Sequence, residues 1–471
     1  MENVREIVLD LLLSLEKDKG MSHRLISDVL SKYDYLDVKE KRFLKRLAEG
    51  TLERQIELDY YLDHYSNLPV RKMKPLIRCL LRMSVYQILY MDSVPDSAAC
   101  NEACKLAERR KFQSLKGFVN GVLRRISREK ETLPLPDRKN VLEWLCVKYS
   151  MPELIVREWL AEYGEAMTEK ILQGLLEIHP VSLRMIETLS DEEMATIDKR
   201  LQAAGARTEK SPYDARILLA RDLEGAESLS DFQEGRLTVQ DASSVLAVKM
   251  AGIQKGDLVV DACAAPGGKS ILAAELVGKT GKIICGDLTS QKTDRIAENI
   301  DRMGSSNIEI REWDAREPMP QWIGKADVLL LDVPCSGWGV MGKKRDIKYH
   351  ATEQGISELE DLQKAILRGA SQYVKPDGIL LYSTCTVRKQ ENRDMVAWIL
   401  ENLPFVPEPI CKKLPEAVLV GVREEKQAFL GKDSAAEDCF AQLLPGVLQM
   451  DGFFFAKFRR KRNADGNRSE N

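Results

Sequence analysis

The chain has 471 residues, 44% of them hydrophobic and 30% charged, with a net charge of −3 and ten cysteines. That length supports two to four separate cores, because a single hydrophobic core rarely grows past about 250–300 residues. The same figures argue against a membrane span, since no apolar stretch approaches about 18 residues, against a disulfide scaffold, since the cysteines are sparse and none forms a C-x-x-C pair, and against a uniformly basic nucleic-acid binder.

The first segment, MENVREIVLDLLLSLEKDKG, sets Val4, Ile7, Val8, Leu11, Leu12 and Leu15 at helical spacing. It also carries Glu2, Glu6 and Asp10 and has no small-residue cleavage site, so it reads as an amphipathic helix and not as a signal peptide. Thiols without partners and four histidines away from any cysteine cluster suit a reducing cytoplasm and predict no metal site. Helical periodicity continues to about residue 132, with stops at Gly20 and at VPDS (94–97), and ends at the Pro-bearing TLPLPDR (132–138). Residues 1–135 are therefore predicted to form an all-helical domain. Between Lys105 and Lys130 it holds nine Lys/Arg against Glu108 and Glu129, a local excess of seven positive charges. Lys105, Arg109, Arg110, Lys111, Lys116, Arg124 and Arg125 are the candidate phosphate contacts there; the plainer reading is a solvated helix face.

Residues 140–235 begin with helical NVLEWLCVKYS and PELIVREWLAEYG and continue with a β-like VSLRMI and a helical SDEEMATIDKRLQAAG, which predicts a small α/β connector. From 236 to 462 the rhythm changes. The runs DLVVDAC, KIICGD, IEIREWD, ADVLLLDV, GILLYSTC and GFFFAKF alternate with helical segments, the pattern of a doubly wound, Rossmann-like α/β domain with a parallel sheet covered on both faces. A second basic run, FAKFRRKRN, adds Arg459 and Arg460 as candidate RNA contacts, and residues 463–471 form a polar tail.

In such sheets ligands bind beyond the carboxyl ends of the strands. The first strand runs into DACAAPGGKS (261–270), whose glycines allow a close backbone approach just before a helix, so a nucleotide-like ligand is expected there. It is neither a P-loop, since Cys263 stands where that motif needs glycine, nor G-x-G-x-x-G. Acids end the next strands: Asp287, Asp314 and Asp332. Asp287, 26 residues after Asp261, stands where a carboxylate takes both hydroxyls of a ribose. Cys335, in LLLDVPCSGWG, and Cys385, in LLYSTCTV, follow strands that are usually neighbours, so both thiols should face one crevice, as a nucleophile and a helper. Arg388 and Lys389 are the cations expected to favour a thiolate at Cys385.

DACAAPGGKS, LLLDVPCSGWG and YSTCT, in this order, resemble the signature blocks of S-adenosylmethionine-dependent RNA cytosine-5 methyltransferases. The helical NEACKLAERRKFQSLKGFVNGVLRRI resembles a NusB-like RNA-binding domain, and the combination is similar to the Fmu/Sun-type bacterial enzymes that modify 16S ribosomal RNA. One departure is LLPGVLQMDGFF, where the family often has a histidine and this chain has Gly446. The resemblance implies that Cys263, Ala264, Ala265, Pro266, Gly267, Gly268 and Lys269 hold the methionine end of S-adenosyl-L-methionine, Asp287 its ribose, and Asp314 and Asp332 the adenosine and catalytic ends. It implies that Cys385 is the nucleophile, Cys335 the residue that releases the enzyme, and Asp332 the group beside ring nitrogen 3. It also implies a cytoplasmic monomer acting on 16S ribosomal RNA, naked or in early assembly intermediates. The rival readings are a methyltransferase for small molecules or proteins, which needs no paired thiols, and an RNA-binding assembly factor with a vestigial cofactor fold.

Overall fold

The computed structural model describes residues 3–17, 22–223, 225–410, 413–421 and 438–462; Gly20 and the tail 463–471 lie outside them. The chain divides into two compact units, Met1–Leu176 with Met341–Thr352, and Glu177–Val340 with Glu353–Asn471.

Among the described residues nine α-helices, with a few short 3₁₀ turns, shape the N-terminal part of the first unit: α1 Val4–Lys17, α2 Ser22–Lys32, α3 Val38–Glu53, α4 Gln55–Tyr65, α5 Pro75–Tyr90, α6 Asp96–Arg109, α7 Lys116–Glu129, α8 Val141–Lys148 and α9 Glu153–Leu176. Local chemistry sets their ends. Asp37 and Glu40 make a reciprocal capping box at the start of α3, and Pro75 opens α5 where a missing amide costs nothing. Helix α5 is the central element, with Ile77, Leu80, Leu81, Met83 and Val85 all buried in one cluster fed by α1, α3, α4, α6 and α7.

The boundary after Leu176 differs from the predicted connector at 140–235. Helices α8 and α9 belong with the helical unit because the loop between them is bonded to it: the Ser150 hydroxyl accepts from the Ile56 and Glu57 amides at the start of α4. The strands of the connector go with the second unit. The stretch Met341–Thr352 also belongs to the helical unit. The guanidinium of Arg345 pairs with Glu49 and Glu53, Lys348 Nζ donates to the carbonyls of Glu53 (2.7 Å) and Ser150 (2.6 Å), and Tyr349 donates to that of Leu52 (2.7 Å).

The second unit holds two sheets. The smaller is antiparallel, in the order β2-β3-β1-β4, from β1 Val181–Met185, β2 Arg207–Lys210, β3 Ile217–Arg221 and β4 Leu237–Val239. Arg184 of β1 is fully buried and fixes this sheet to its neighbour, with a bidentate bond to Glu275 (2.9 Å each) and one to Gln240 (2.7 Å). The larger sheet runs β10-β12-β9-β8-β5-β6-β7, with β11 beside β12. Its strands are β5 Leu258–Asp261, β6 Lys282–Asp287, β7 Ile308–Glu312, β8 Ala326–Asp332, β9 Val374–Thr384, β10 Phe405–Pro407, β11 Phe440–Leu443 and β12 Phe453–Arg460.

Successive residues of the central strands feed opposite cores. Val259 and Leu330 pack on one face with helices Ala242–Ala251 and Gly268–Val277, while Val260 and Leu329 pack on the other with Ile366, Leu367 and Met395. Strands β5 to β9 are parallel, as predicted, but β10, β11 and β12 run antiparallel to their neighbours. GFFFAKF was expected to continue the parallel pattern. The link from β11 to β12 is only residues 444–452 and contains no helix, so it cannot supply the crossover a parallel pair needs. The chain moves from β5 to β6 and β7 on one side and to β8 and β9 on the other, which opens the crevice at the carboxyl ends of β5 and β8.

Candidate active site

The crevice begins with the loop Cys263–Lys269, between β5 and helix Gly268–Val277. The Ala264 amide donates to the Gly286 carbonyl (2.9 Å) and that of Ala265 to Asp287 Oδ2 (3.2 Å), so the loop is tied to the end of β6. Asp287 Oδ1 also accepts from the Leu288 amide and Lys292 Nζ. Behind the loop lies Asp261, fully enclosed, with Oδ2 bonded to the Ser270 hydroxyl (2.7 Å) and Oδ1 unpartnered. Burial pushes Asp261 up to about 6, against the opposing pull of Ser270 and Lys269. Burial, followed by the fields of Asp287, Asp261 and Asp332, raises Cys263 well above an ordinary thiol, so it remains protonated beside this acidic set.

The end of β8 supplies the next group. Asp332 Oδ2 accepts from Lys269 Nζ (2.7 Å) and Oδ1 from the Ser383 hydroxyl (2.9 Å). Ser383 is its register partner on parallel strand β9. Burial opposes the charge on Lys269, but Asp332 more than offsets it and leaves the ammonium above its ordinary pKa.

The two cysteines meet here. Cys335 follows Asp332 by three residues and Cys385 is the first residue after β9; their sulfurs lie 3.3 Å apart. The Cys385 contact, then burial, raises Cys335 well above an ordinary thiol. Close backbone packing holds the pair. The Gly339 amide donates to the Cys385 carbonyl (3.0 Å), and a Cβ on Gly339 would stand 2.0 Å from the Gly452 carbonyl oxygen, so only glycine fits there.

Arg388 and Lys389 each have carboxylate partners. Arg388 reaches Glu360 (3.0 Å) and Glu391 (3.6 Å), and Lys389 reaches Asp394 (3.5 Å), because the chain turns away after Thr386. Lys269 is a cation within the field of Cys385, which adds to the rise set mainly by Asp332. Asp314 lies two residues beyond β7, where a bidentate Arg316 holds its carboxyl below the usual range. Gly446 has φ +75°, a conformation open to glycine and costly for histidine, which accounts for the residue found at this departure.

Most of the basic candidates have local acceptors. Lys105 pairs with Glu102, Arg109 with Glu6, Arg110 with Glu6 and Asp10, and Lys116 with Glu108; Arg124 bonds Asn120, and Arg125 lies over the Tyr65 ring. Lys111 is exposed at the turn after α6. Arg459 and Arg460 belong to β12, where Arg459 is bidentate to Glu408 (2.9 and 2.7 Å) and Arg460 donates to the Val374 and Gln372 carbonyls.

Residues 248–459 match the family model for 16S rRNA methyltransferase RsmB/F, and residues 2–128 match the NusB family. The chain is 35% identical over 98% of its length to the probable ribosomal RNA small subunit methyltransferase B of Bacillus subtilis, of which it covers 99%. It belongs to the ribosomal RNA small subunit methyltransferase B family. It is likewise 31% identical to the enzyme of that name from Shewanella oneidensis, over 93% of this chain and 98% of the relative. The crystal structure of PH0851 superposes with a TM-score of 0.77 at 25% identity, covering 98% of this chain and 99% of that one. The crystal structure of NSun6 from Pyrococcus horikoshii shares the fold, with a TM-score of 0.55 at 19% identity over 66% of this chain and 99% of that one.

This methyltransferase acts on small-subunit ribosomal RNA and takes S-adenosyl-L-methionine as its cofactor. The crevice fits that cofactor. Asp261, Asp287 and Asp332 provide an acidic lining for a cationic sulfonium, and the Asp261 oxygen without a partner marks unbalanced negative charge behind the loop. Sequence reasoning missed Ser383, Gln363, Glu391 and Asn392. The run QEN, beginning five residues after Cys385, was the available signal for the last two; Gln363 lies in a long helix with nothing to mark it.

Proposed function

We propose that the methyltransferase modifies carbon 5 of an unpaired cytosine in 16S ribosomal RNA through a covalent bond between Cys385 and the base. The observation that carries this is the pair of sulfurs 3.3 Å apart at the ends of adjacent parallel strands, beside the Lys269–Asp332 ion pair. Carbon 5 of cytosine is a weak nucleophile. Addition of the Cys385 thiolate at carbon 6 forms an S–C bond and makes the ring enamine-like, so that carbon 5 can attack an electrophile. S-adenosyl-L-methionine, when bound, supplies that electrophilic methyl group.

Asp332 accepts hydrogen bonds on both oxygens and can accept another from the ring nitrogen 3 proton or the amino group of the adduct. Cys335 completes the cycle. Its raised pKa keeps it a thiol while Cys385 is anionic, and the main cause of that rise disappears once Cys385 sulfur is committed to carbon. Cys335 can then give its proton to solvent and, as the thiolate, take the carbon 5 proton; the C5–H electron pair forms the C5–C6 double bond, and the S–C bond breaks with its pair left on the Cys385 sulfur. The cytosine must leave its stack to reach these groups, which favours a loop or single-stranded target. The NusB-family domain is the RNA-positioning element in this reading, and the chain works as a cytoplasmic monomer.

Two measurements test this together. RNA labelled with tritium at cytosine carbon 5 should release the label with methylation, and Cys385→Ala should abolish both release and any covalent adduct. Cys335→Ala should instead accumulate an RNA-linked protein on a denaturing gel. Near-normal methylation by Cys385→Ala overturns the assignment.

A further inference from the structure

Beneath the two cysteine loops lies a buried polar cluster that the reaction itself does not use. Glu391 and Asn392 are completely enclosed and directly precede helix Arg393–Asn402. Glu391 Oε2 accepts from the Ser336 amide (2.9 Å), the residue after Cys335, and from Gln363 Nε2 (2.9 Å). Gln363 Nε2 also donates to the carbonyl of Pro334 (2.9 Å), the residue before Cys335. Glu391 and Gln363 thus grip Cys335 from both sides.

Asn392 does the same for the other thiol. Its Oδ1 accepts from the Thr384 hydroxyl (2.6 Å), and its Nδ2 donates to the Thr386 carbonyl (2.9 Å) and to Gln442 Oε1 (2.7 Å). Thr384 and Thr386 flank Cys385. The Ser336 and Thr386 hydroxyls, 2.8 Å apart, join the two loops directly. The Tyr382 hydroxyl donates to the Glu391 carbonyl (2.7 Å), and Arg388, itself buried, offsets the Glu391 charge at 3.6 Å.

We propose that Glu391 and Asn392 are a pair of positioning residues in which each holds one cysteine loop, so that two consecutive residues set the spacing of the two thiols. Burial of a carboxylate and an amide is costly; Glu391 Oε1 has only Arg388 to face, at 3.6 Å, and the hydrogen bonds that Glu391 Oε2 and Asn392 do make converge on the residues flanking the two sulfurs. The outcome of changing each residue should therefore differ. Glu391→Ala loosens the Cys335 loop and slows release; Asn392→Ala loosens the Cys385 loop and slows addition.

The division of roles rests on the covalent reading above, so the decisive measurement is made without RNA. A trivalent arsenical, phenylarsine oxide, bridges two thiols set at this spacing: two As–S bonds form, and both thiol protons leave with the oxo oxygen as water. The full-length protein should capture it on Cys335 and Cys385, as mapped by peptide mass spectrometry, and either Cys→Ala variant should not. Glu391→Ala and Asn392→Ala should each weaken capture at least about tenfold, since small displacements of reacting groups carry penalties of that size. Glu391→Gln, which keeps the acceptor for Ser336, should recover it.

In RNA assays Glu391→Ala should build up covalent adduct, and Asn392→Ala should lower its rate of formation by a similar factor. Gln363→Ala tests the same grip from helix Glu353–Ala370 if a Glu391 variant does not fold. Wild-type arsenical capture by both alanine variants overturns the proposal. An equal loss of adduct formation and release in both, tracking a lowered Tm, also overturns it, since that marks a purely structural role. If Cys385→Ala remains active while arsenical capture follows the expected pattern, the covalent reading fails and the spacing role stands.

Discussion

Lys269 of the catalytic unit and Lys348 of the helical unit are both largely withdrawn from water, and the two are treated in opposite ways. Lys269 faces the Asp332 carboxylate at 2.7 Å and keeps its charge. Lys348 is 3% exposed and bonded chiefly to main-chain carbonyls, and burial lowers it to about 7 despite the field of Glu53. The difference shows that burial alone does not decide ionisation; a carboxylate with both oxygens aimed into the same space does. A crevice that must hold charge for chemistry has such a partner, whereas a lysine that joins a loop to a helix end needs only hydrogens for the Glu53 and Ser150 carbonyls.

The strongest way to break this contrast is to remove the carboxylate. Asp332→Ala leaves Lys269 enclosed and unpaired, and should destabilise the protein by about 3 kcal/mol while lowering methylation at least about 100-fold, as read by thermal unfolding and methyl transfer to RNA. The double variant Lys269→Met with Asp332→Leu should regain most of the stability and none of the activity. Equal instability of the single and double variants would show that the pair is not what holds the charge. Lys269→Met alone should lower Tm by less than Asp332→Ala, because Asp332 is the more exposed partner and keeps its bond from Ser383, and should lose about 100-fold in kcat/KM, since it removes a cation from the field of Cys385 and from Asp332.

A smaller effect sharpens the other side. Lys348 has a folded-state pKa near 7 against about 10.4 in an unfolded chain. Between those values the unfolded chain binds more protons, so the helical unit should gain stability as pH rises from about 7 to 10, by a few kcal/mol at most. Lys348→Met should flatten that dependence in thermal unfolding measured across the range. The smallest effect belongs to a lysine exposed to water. Lys111→Ala should weaken RNA binding by a factor of about two to three and lower the slope of log affinity against log salt by about one, with little change in Tm.

Much of the site could be read directly from residue order. Strands β5, β6, β8 and β9 are apolar on both faces, and a continuous apolar run that breaks into polar residues marks its own carboxyl end. That is why Asp287, Asp332, Cys335 and Cys385 could be placed in one crevice before any coordinates. The charged surface was not legible in the same way. A local count over Lys105–Lys130 omits Glu102, one turn earlier on α6, and cannot see Glu6 and Asp10 of α1, which come to these side chains only when the helices pack. FAKFRRKRN read as a basic patch because charge along a sequence conceals that Phe455, Lys457 and Phe458 are buried in a sheet.

The sequence by itself determined the helical character of the first unit, the parallel run of the central strands and the meeting of Cys335 and Cys385 at the ends of neighbouring strands, because periodicity and strand ends are local properties of the chain. Tertiary structure alone decided that β12 returns antiparallel, that α8 and α9 join the helical unit, and that Lys269 pairs with Asp332 within the field of Cys385. It also brought Gln363, Glu391 and Asn392 beneath the cysteine loops. These outcomes depend on contacts between residues far apart in the chain, and a buried hydrogen bond leaves no periodic trace in the order of residues.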